Sequence, residues 1–321
     1  MFRISLLDFS NIEQYSYYMK KIFSYCIFLF AFLFALTSCV HSTRYIEKNY
    51  EQNVQRLKNC APYTTESVSI QKQNLVDEQR AQQIRSYFKA NTALDLDALA
   101  ASEKSTWEKS VELAVFIAKN IPHDNQKTPV ENRNAITLWE YSRVTPTGFN
   151  CRYHSILLSE LLLSIGIKNS FVTCLPYDKN DGDCHVVNIV WLPELSKWAM
   201  IDSDMFEYVT NDQGDLLSLQ EMRLYIQQNK PFTVNVLPGF EDSWVAEPSG
   251  QSYMQAYWAK NLYWFALYKV YAFDLEYARN SDGSRTFRPE YISLMPPDYT
   301  NSHSYYTNNQ KISNDAAFWS E

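Results

Sequence analysis

The chain has 321 residues, of which 46% are hydrophobic, so it is long enough for a sizeable core and one to three domains. Its formal net charge is −7 and it contains no long basic run, which argues against nucleic acid as a partner. No segment of about 20–50 residues repeats, which argues against a solenoid or a propeller.

The N-terminal segment has the pattern of an export signal. From Met19, two lysines precede an apolar run from Ile22 to Leu36, which is short for a membrane span. The run closes on Leu-Thr-Ser-Cys at Cys39, which resembles the lipobox of bacterial lipoproteins. That resemblance implies cleavage before Cys39, a lipid on its sulfur, and a location in the bacterial cell envelope with the lipid in the membrane. The alternative is an uncleaved membrane anchor.

The composition changes along the chain and predicts five segments. These are upstream residues and signal peptide at 1–38, a polar, structure-poor tether at 39–66, an N-terminal helical extension at 67–104, a core at 105–235, and an aromatic-rich region at 236–321. The aromatic residues of the last segment are expected to pack on the core. The alternative is a surface that stacks on sugar rings or peptide side chains.

Four cysteines remain in the mature chain if Cys39 carries lipid: Cys60, Cys151, Cys174 and Cys184. Disulfides are compatible with a location outside the cytoplasm. Cys174 and Cys184 flank a polar turn and are one candidate pair, but the sequence alone leaves the connectivity open.

Two helices are predicted ahead of the Cys151 segment. Apolar residues recur at helical spacing after Ser105, which is a suitable N-cap because Glu108 follows three residues later. Pro122 ends this helix. A second, shorter helix is predicted at 133–142.

A third helix is predicted to begin at Cys151, directly after the turn Gly-Phe-Asn. Its apolar residues cover nearly every face, which indicates a helix buried on all sides, and Gly166 ends it. A cysteine in the first turn of a helix differs from an inert core cysteine, because the unpaired N–H groups and the helix dipole favour its thiolate.

Three short runs rich in β-branched and aromatic residues predict strands at 170–176, 185–192 and 197–204. A four-residue loop at 193–196 fixes the register of the last two strands. His185 then has Asp202 diagonally across and Asp204 directly across, on one side of an antiparallel sheet.

A thiol at a helix start, an imidazole on a strand and a carboxylate on the next strand are the parts of a nucleophile, base and orienting-acid triad. Cys151, His185 and Asp202 occur in that order, within G-F-N-C, D-C-H-V-V-N and K-W-A-M-I-D. This pattern resembles the transglutaminase-like superfamily over about residues 105–230.

The resemblance implies an α+β, papain-like core in which the cysteine-bearing helix packs on an antiparallel sheet. It also implies thioester chemistry on amide bonds of a protein or peptide, without a cofactor. By motif, Cys151 matches the nucleophile, His185 the base and Asp202 the orienting acid. The chain departs from the family at Ser203, where proline is frequent, and in the two valines that follow His185.

Several alternatives stay open at this stage. Asp204 competes with Asp202 for the third role, and His154 is expected to be a structural contact rather than the base. A metal site that combines Cys151 and His154 with a second pair, Cys184 and His185, is disfavoured because neighbouring strand residues point to opposite faces, so the second pair cannot easily share one ion. The chain could also be a non-catalytic lipoprotein that binds a glycan or protein. The acyl acceptor and the oligomeric state are left open.

Overall fold

The computed structural model describes residues 46–125, 132–144, 148–276, 290–300 and 310–321. The predicted signal segment and Cys39 lie outside the described residues. The chain divides into two units, Met1–Lys48 and Asn49–Glu321. Of the first, residues 46–48 are described and are helical; everything below concerns the second. None of the helices in the described ranges is long and apolar enough to cross a membrane.

The second unit combines helices with a large sheet. Its helices are α1 Tyr50–Asn59, α2 Glu78–Asn91, α3 Leu96–Ala101, α4 Thr106–Asn120, α5 Ala135–Val144, α6 Cys151–Ser164, α7 Leu219–Gln227, α8 Pro248–Asn261 and α9 Asp315–Trp319. Its strands are β1 Gln73–Asn74, β2 Asn169–Leu175, β3 His185–Leu192, β4 Lys197–Asp202, β5 Glu207–Thr210, β6 Thr233–Val236, β7 Trp264–Tyr268, β8 Val270–Tyr271, β9 Tyr291–Leu294 and β10 Gln310–Ile312.

Eight strands form one sheet in the order β10-β9-β7-β2-β3-β4-β5-β6. All neighbours in it are antiparallel except β9 and β10, and β1 pairs with β8 in a separate parallel ladder. The predicted α+β fold is confirmed. So is the register of the β3–β4 hairpin, in which Leu192 pairs with Lys197 across the four-residue loop.

Helix α6 lies at the centre of the unit. It contacts α2, α4 and α5 on one side and strands β2 and β3 on the other. Every residue from Tyr153 to Ser164 is buried, which explains why its sequence is apolar on nearly every face. Even its single acidic residue, Glu160, is buried, and it accepts backbone N–H bonds from Ala135 and Asp274.

The structure also confirms two predicted helix ends. Ser105 and Glu108 form the predicted capping box at the start of α4. Gly166 follows α6 with φ +79°, a backbone conformation that favours glycine.

Two segments differ from expectation. The predicted tether at 39–66 contains α1, whose Val54 and Leu57 are buried, and this helix contacts α7 and α8. The region at 236–321 does more than pack on the core, because β7 pairs directly with β2 and so extends the main sheet. Both differences arise from contacts between residues far apart in the chain.

Candidate active site

The nucleophile candidate Cys151 is positioned by a close chain crossing just before it. Phe149 exchanges backbone hydrogen bonds with the segment after α4: its N–H donates to Pro122 O at 3.0 Å, and its carbonyl accepts from Asp124 N at 2.8 Å. Gly148 permits this crossing, because a Cβ there would lie 2.2 Å from Pro122 O. Asn150 then caps α6, its side chain accepting from Tyr153 N at 3.2 Å. Cys151 is therefore the first helical residue, and it is half-buried.

Polar bonds fix α6 against the strand that carries His185. Ser155 Oγ donates to Val186 O at 2.8 Å, and Asn188 Nδ2 donates to Ser155 O at 3.0 Å. All three residues are buried. These bonds set the depth of the helix on the sheet, and so the distance between Cys151 and His185.

The structure brings the three sequence-predicted residues together. His185 Nε2 donates to Asp202 Oδ2 at 2.6 Å, and both side chains are buried. The Cys151 sulfur and a ring nitrogen of His185 lie within 4.8 Å of each other. Because Nε2 is engaged by Asp202, Nδ1 is the ring nitrogen left for the thiol.

Asp202 is itself held by the turn that follows it. Strand β4 ends at this residue, and its Oδ1 accepts backbone N–H bonds from Asp204 at 2.8 Å and from Met205 at 3.2 Å. Only Oδ2 is then directed at His185. A proline at position 203 is not needed to form this turn, because the Asp202 carboxylate already accepts hydrogen bonds from the N–H groups of the turn.

The charge state of His185 follows from these contacts. Burial alone would lower the pKa of His185, but the charge and hydrogen bond of Asp202, with a smaller contribution from Cys151, raise it well above its ordinary value. The imidazole is therefore protonated at neutral pH. An imidazolium therefore lies within 4.8 Å of the Cys151 sulfur at the N-terminus of α6.

Helix α8 closes one side of the imidazole. The rings of Tyr257 and Trp258 lie with centroids 5.3 and 5.4 Å from that of His185, both edge-on. Trp258 Nε1 donates to Glu207 Oε1 at 2.8 Å, which fixes the indole. Burial, with the nearby charge of Asp202, raises the pKa of Glu207 well above its ordinary value, so that this carboxyl is neutral.

An aromatic ladder leads from this wall to the surface. Tyr257 stacks on Tyr253 at 5.6 Å and 13°, and Tyr253 contacts Trp244 edge-on at 5.6 Å. The Trp244 side chain is 42% exposed. The C-terminal aromatics thus serve partly as core and partly as a path of rings from solvent to His185.

Asp204 lies beyond the end of β4 and meets a different imidazole. His123 Nδ1 is 3.0 Å from both carboxylate oxygens of Asp204, and His154 Nε2 is 3.5 Å from Oδ1. Burial lowers the pKa of His154, which keeps it neutral and agrees with its expected structural role. Sequence reasoning missed His123. The sequence offers one indication of its importance, which is that the chain has only five histidines. No local pattern links His123 to an aspartate 81 residues away.

One group of three side chains in the described residues has the spacing of a metal site. Donor atoms of Cys151, His185 and Asp204 all lie within 4.8 Å of one another. The 2.6 Å bond to Asp202 assigns His185 to that carboxylate, and Asp204 is engaged by His123. We therefore assign the group to the thiol site rather than to a metal. The four described cysteines are free, and Cys174 is paired in register with His185 rather than with Cys184.

Comparison with known proteins agrees with the sequence resemblance. Residues 93–203 match the family model described as Transglutaminase-like superfamily, and this part of the chain is a transglutaminase-like core. The family match and the Cys-His-Asp arrangement together support a cysteine-based enzyme. No curated protein matches the chain significantly.

Solved structures give weaker likenesses. One is a candidate cysteine protease from Cytophaga hutchinsonii, at 13% identity and TM-score 0.26, covering 39% of this chain and 37% of that one. This chain thus spans little more than a third of that protein. Another is arylamine-N-acetyltransferase from M. tuberculosis, at 13% identity and TM-score 0.29, covering 57% of this chain and 75% of that one. TM-scores this low indicate neither a shared activity nor a shared substrate.

Proposed function

We propose that this chain is a thiol enzyme that opens amide bonds of a protein or peptide through a thioester on Cys151. The observation that carries the proposal is the 2.6 Å bond between His185 and Asp202, together with a sulfur within 4.8 Å of the same imidazole at a helix N-terminus. The family match over residues 93–203 supports the same reading.

The proposed reaction uses these three side chains in the following order. The Cys151 thiolate attacks the amide carbon, forming a C–S bond while the carbonyl electron pair moves to oxygen. Collapse of this intermediate breaks the C–N bond, and His185 gives its Nδ1 proton to the departing amine. Water or an acceptor amine, deprotonated by His185, then attacks the thioester carbon. The C–S bond breaks, which gives the carboxylic acid or the new amide and regenerates the Cys151 thiolate beside protonated His185. Asp202 keeps the ring oriented and stabilises its charged form.

The test separates the acyl acceptors. Dimethylcasein is incubated with dansylcadaverine, and both ammonia release and dansyl incorporation are followed. Incorporation indicates amine transfer, and ammonia without incorporation indicates hydrolysis of a side-chain amide. New peptide termini indicate a peptidase. Cys151→Ala should abolish every product, whereas the matched control Cys184→Ala should retain them.

Absence of all three products, together with no acyl adduct on Cys151 by mass spectrometry, contradicts the enzyme reading with this substrate class. Binding of glycan or protein along the ladder of Trp244, Tyr253 and Tyr257 would then be the function to examine. That alternative uses the same fold without the chemistry.

We also propose that the protein is a lipoprotein of the bacterial cell envelope, anchored through Cys39. The support is the Lys-Lys, apolar, Leu-Thr-Ser-Cys series. The intact mass and N-terminal peptide of the mature protein should show residues 1–38 removed and acyl chains on Cys39. A mature N-terminus upstream of Cys39 contradicts the proposal, and Cys39→Ser should release the protein from the membrane fraction.

A further inference from the structure

A second imidazole–carboxylate pair lies at the same nucleophile. Asp204 is fully buried, and a carboxylate oxygen of it lies within 4.8 Å of both the Cys151 sulfur and a nitrogen of His185. A bare carboxylate in that position would repel the thiolate that the proposed reaction needs. The site therefore requires a charge that offsets Asp204.

His123 is placed to supply it. Its Nδ1 is 3.0 Å from both oxygens of Asp204, and its side chain is 37% exposed, so the ring spans from solvent to the buried carboxylate. The chain crossing at Phe149 fixes its backbone: His123 bridges Phe149, two residues before the nucleophile. The other imidazole at Asp204, His154, is completely buried and neutral, so it cannot take this role.

We infer that His123 is a positioning residue of the thiol site, whose positive charge neutralises Asp204 and thereby allows the Cys151 thiolate to form beside His185. This inference rests on the proposed function. It assigns the two neighbouring aspartates different tasks: Asp202 orients the base, and Asp204 holds a second cation near the sulfur.

The charge balance of the site supports the assignment. The groups that act electrostatically on His123 are Asp204, Asp202 and His185, and the bond to Asp204 keeps the pKa of His123 above its ordinary value. The pKa of Asp204 is lowered: burial opposes this, but the hydrogen bond to His123 and the charge of that ring outweigh it. With Glu207 neutral, the thiolate state carries three negative charges against the two imidazolium ions. Loss of the His123 charge would leave one cation to balance three anions.

The experiment is the pH–rate profile of Cys151 alkylation by iodoacetamide, followed by peptide mass spectrometry between pH 4 and 9. His123→Gln keeps an N–H donor for Asp204 and removes the charge. Its charge lies within about 8 Å of the sulfur, so at an effective dielectric constant of about 20 its loss should move the acid limb up by about 1.5 pH units and slow alkylation at pH 6 by about 30-fold.

A double-mutant cycle distinguishes this role from a structural one. Asp204→Asn removes the charge that His123 offsets, so it should leave acid reactivity equal to or above wild type. Without Asp204 the hydrogen bond that raises the pKa of His123 is lost and the ring is less protonated, so in that background His123→Gln should have a smaller effect than in wild type. Melting temperatures and near-UV circular dichroism establish that each variant is folded.

Three outcomes overturn the inference. His123→Gln with an unchanged profile excludes the charge role, as does an additive loss in the double variant. A loss in Asp204→Asn as large as in Asp202→Asn would make Asp204 an orienting acid instead. In each of these cases wild-type Cys151 still reacts faster at pH 6 than His185→Gln does. If wild-type and His185→Gln react equally, the proposed function fails and this inference fails with it.

Discussion

Replacing His185 by glutamine tests the thiolate–imidazolium pair most directly. Glutamine keeps an N–H group that can donate to Asp202, so the buried carboxylate is not left unpaired, but it carries no charge. The sulfur and the ring nitrogen lie within 4.8 Å in the wild-type protein. At that separation and an effective dielectric constant of about 20, the pair is worth about 3.5 kcal/mol, or about 2.5 pH units.

Alkylation of Cys151 at pH 6 should therefore be about 300-fold slower in His185→Gln than in wild type, where the thiolate fraction limits the rate. Iodoacetamide is added for timed intervals and each cysteine is quantified by peptide mass spectrometry. Cys184 serves as the internal reference, because burial chiefly, and then Cys151, raise the pKa of its thiol. Cys174 is fully buried, its pKa is raised by the same cause, and it should react least.

Equal rates at Cys151 in wild type and His185→Gln would refute the reasoning, because they would mean that Cys151 and His185 do not form an ion pair that increases the reactivity of the sulfur. A uniform slowing at every pH, with a lowered melting temperature, would indicate damage to the fold. The expected signature is a loss confined to acid and neutral pH that vanishes above about pH 9, where an ordinary thiol also ionises.

Three further outcomes are expected. Because burial raises the pKa of Glu207, the folded protein keeps a proton that the unfolded chain loses above about pH 4.3, so wild-type stability falls with rising pH. Glu207→Gln removes this titration. The melting temperature of the variant should therefore rise relative to that of wild type as the pH is raised from 5 to 8. Asn150→Ala removes the cap of α6 and should cost about 1 kcal/mol in urea unfolding, while Asn150→Ser restores most of it. Trp244→Ala should raise KM for a peptide substrate and leave iodoacetamide reactivity unchanged, since the exposed ring is separated from His185 by Tyr253 and Tyr257.

Each has a contrary result. A constant difference in melting temperature across pH would mean that Glu207 does not stay protonated in the fold. Equal stability of Asn150→Ala and wild type would place the helix start elsewhere. A fall in Cys151 alkylation in Trp244→Ala would show that the ladder acts on the nucleophile rather than on substrate.

The parts of the site that sequence could predict are those set by local rules. The start of α6 follows from a polar turn and a capping asparagine ahead of an apolar run. The β3–β4 register follows from a four-residue loop. Side-chain alternation then puts His185 and Asp202 on one face. Each of these depends on residues fewer than 20 apart.

The remainder depends on contacts between distant residues. The pairing of β7 with β2 joins segments about 90 residues apart, and no alternation pattern selects that partner. The sequence does not indicate helix α1, because its apolar face, which includes Val54 and Leu57, is short, and its partners α7 and α8 lie far along the chain. His123 reaches Asp204 only because Gly148 lets two segments cross.

The choice between the two aspartates is decided by where a strand ends. If β4 continued through residue 204, alternation would put both carboxylates on the face of His185, and they would compete for it. Instead the chain reverses after Asp202, whose Oδ1 accepts two N–H groups of the turn and whose Oδ2 is left for His185. The reversal carries Asp204 toward His123 while its carboxylate stays within 4.8 Å of the sulfur. One short turn thus separates the roles of two carboxylates, which is why neither strand propensity nor spacing could assign them. It is also why Asp202→Asn should slow alkylation of Cys151 at acid pH while Asp204→Asn should not.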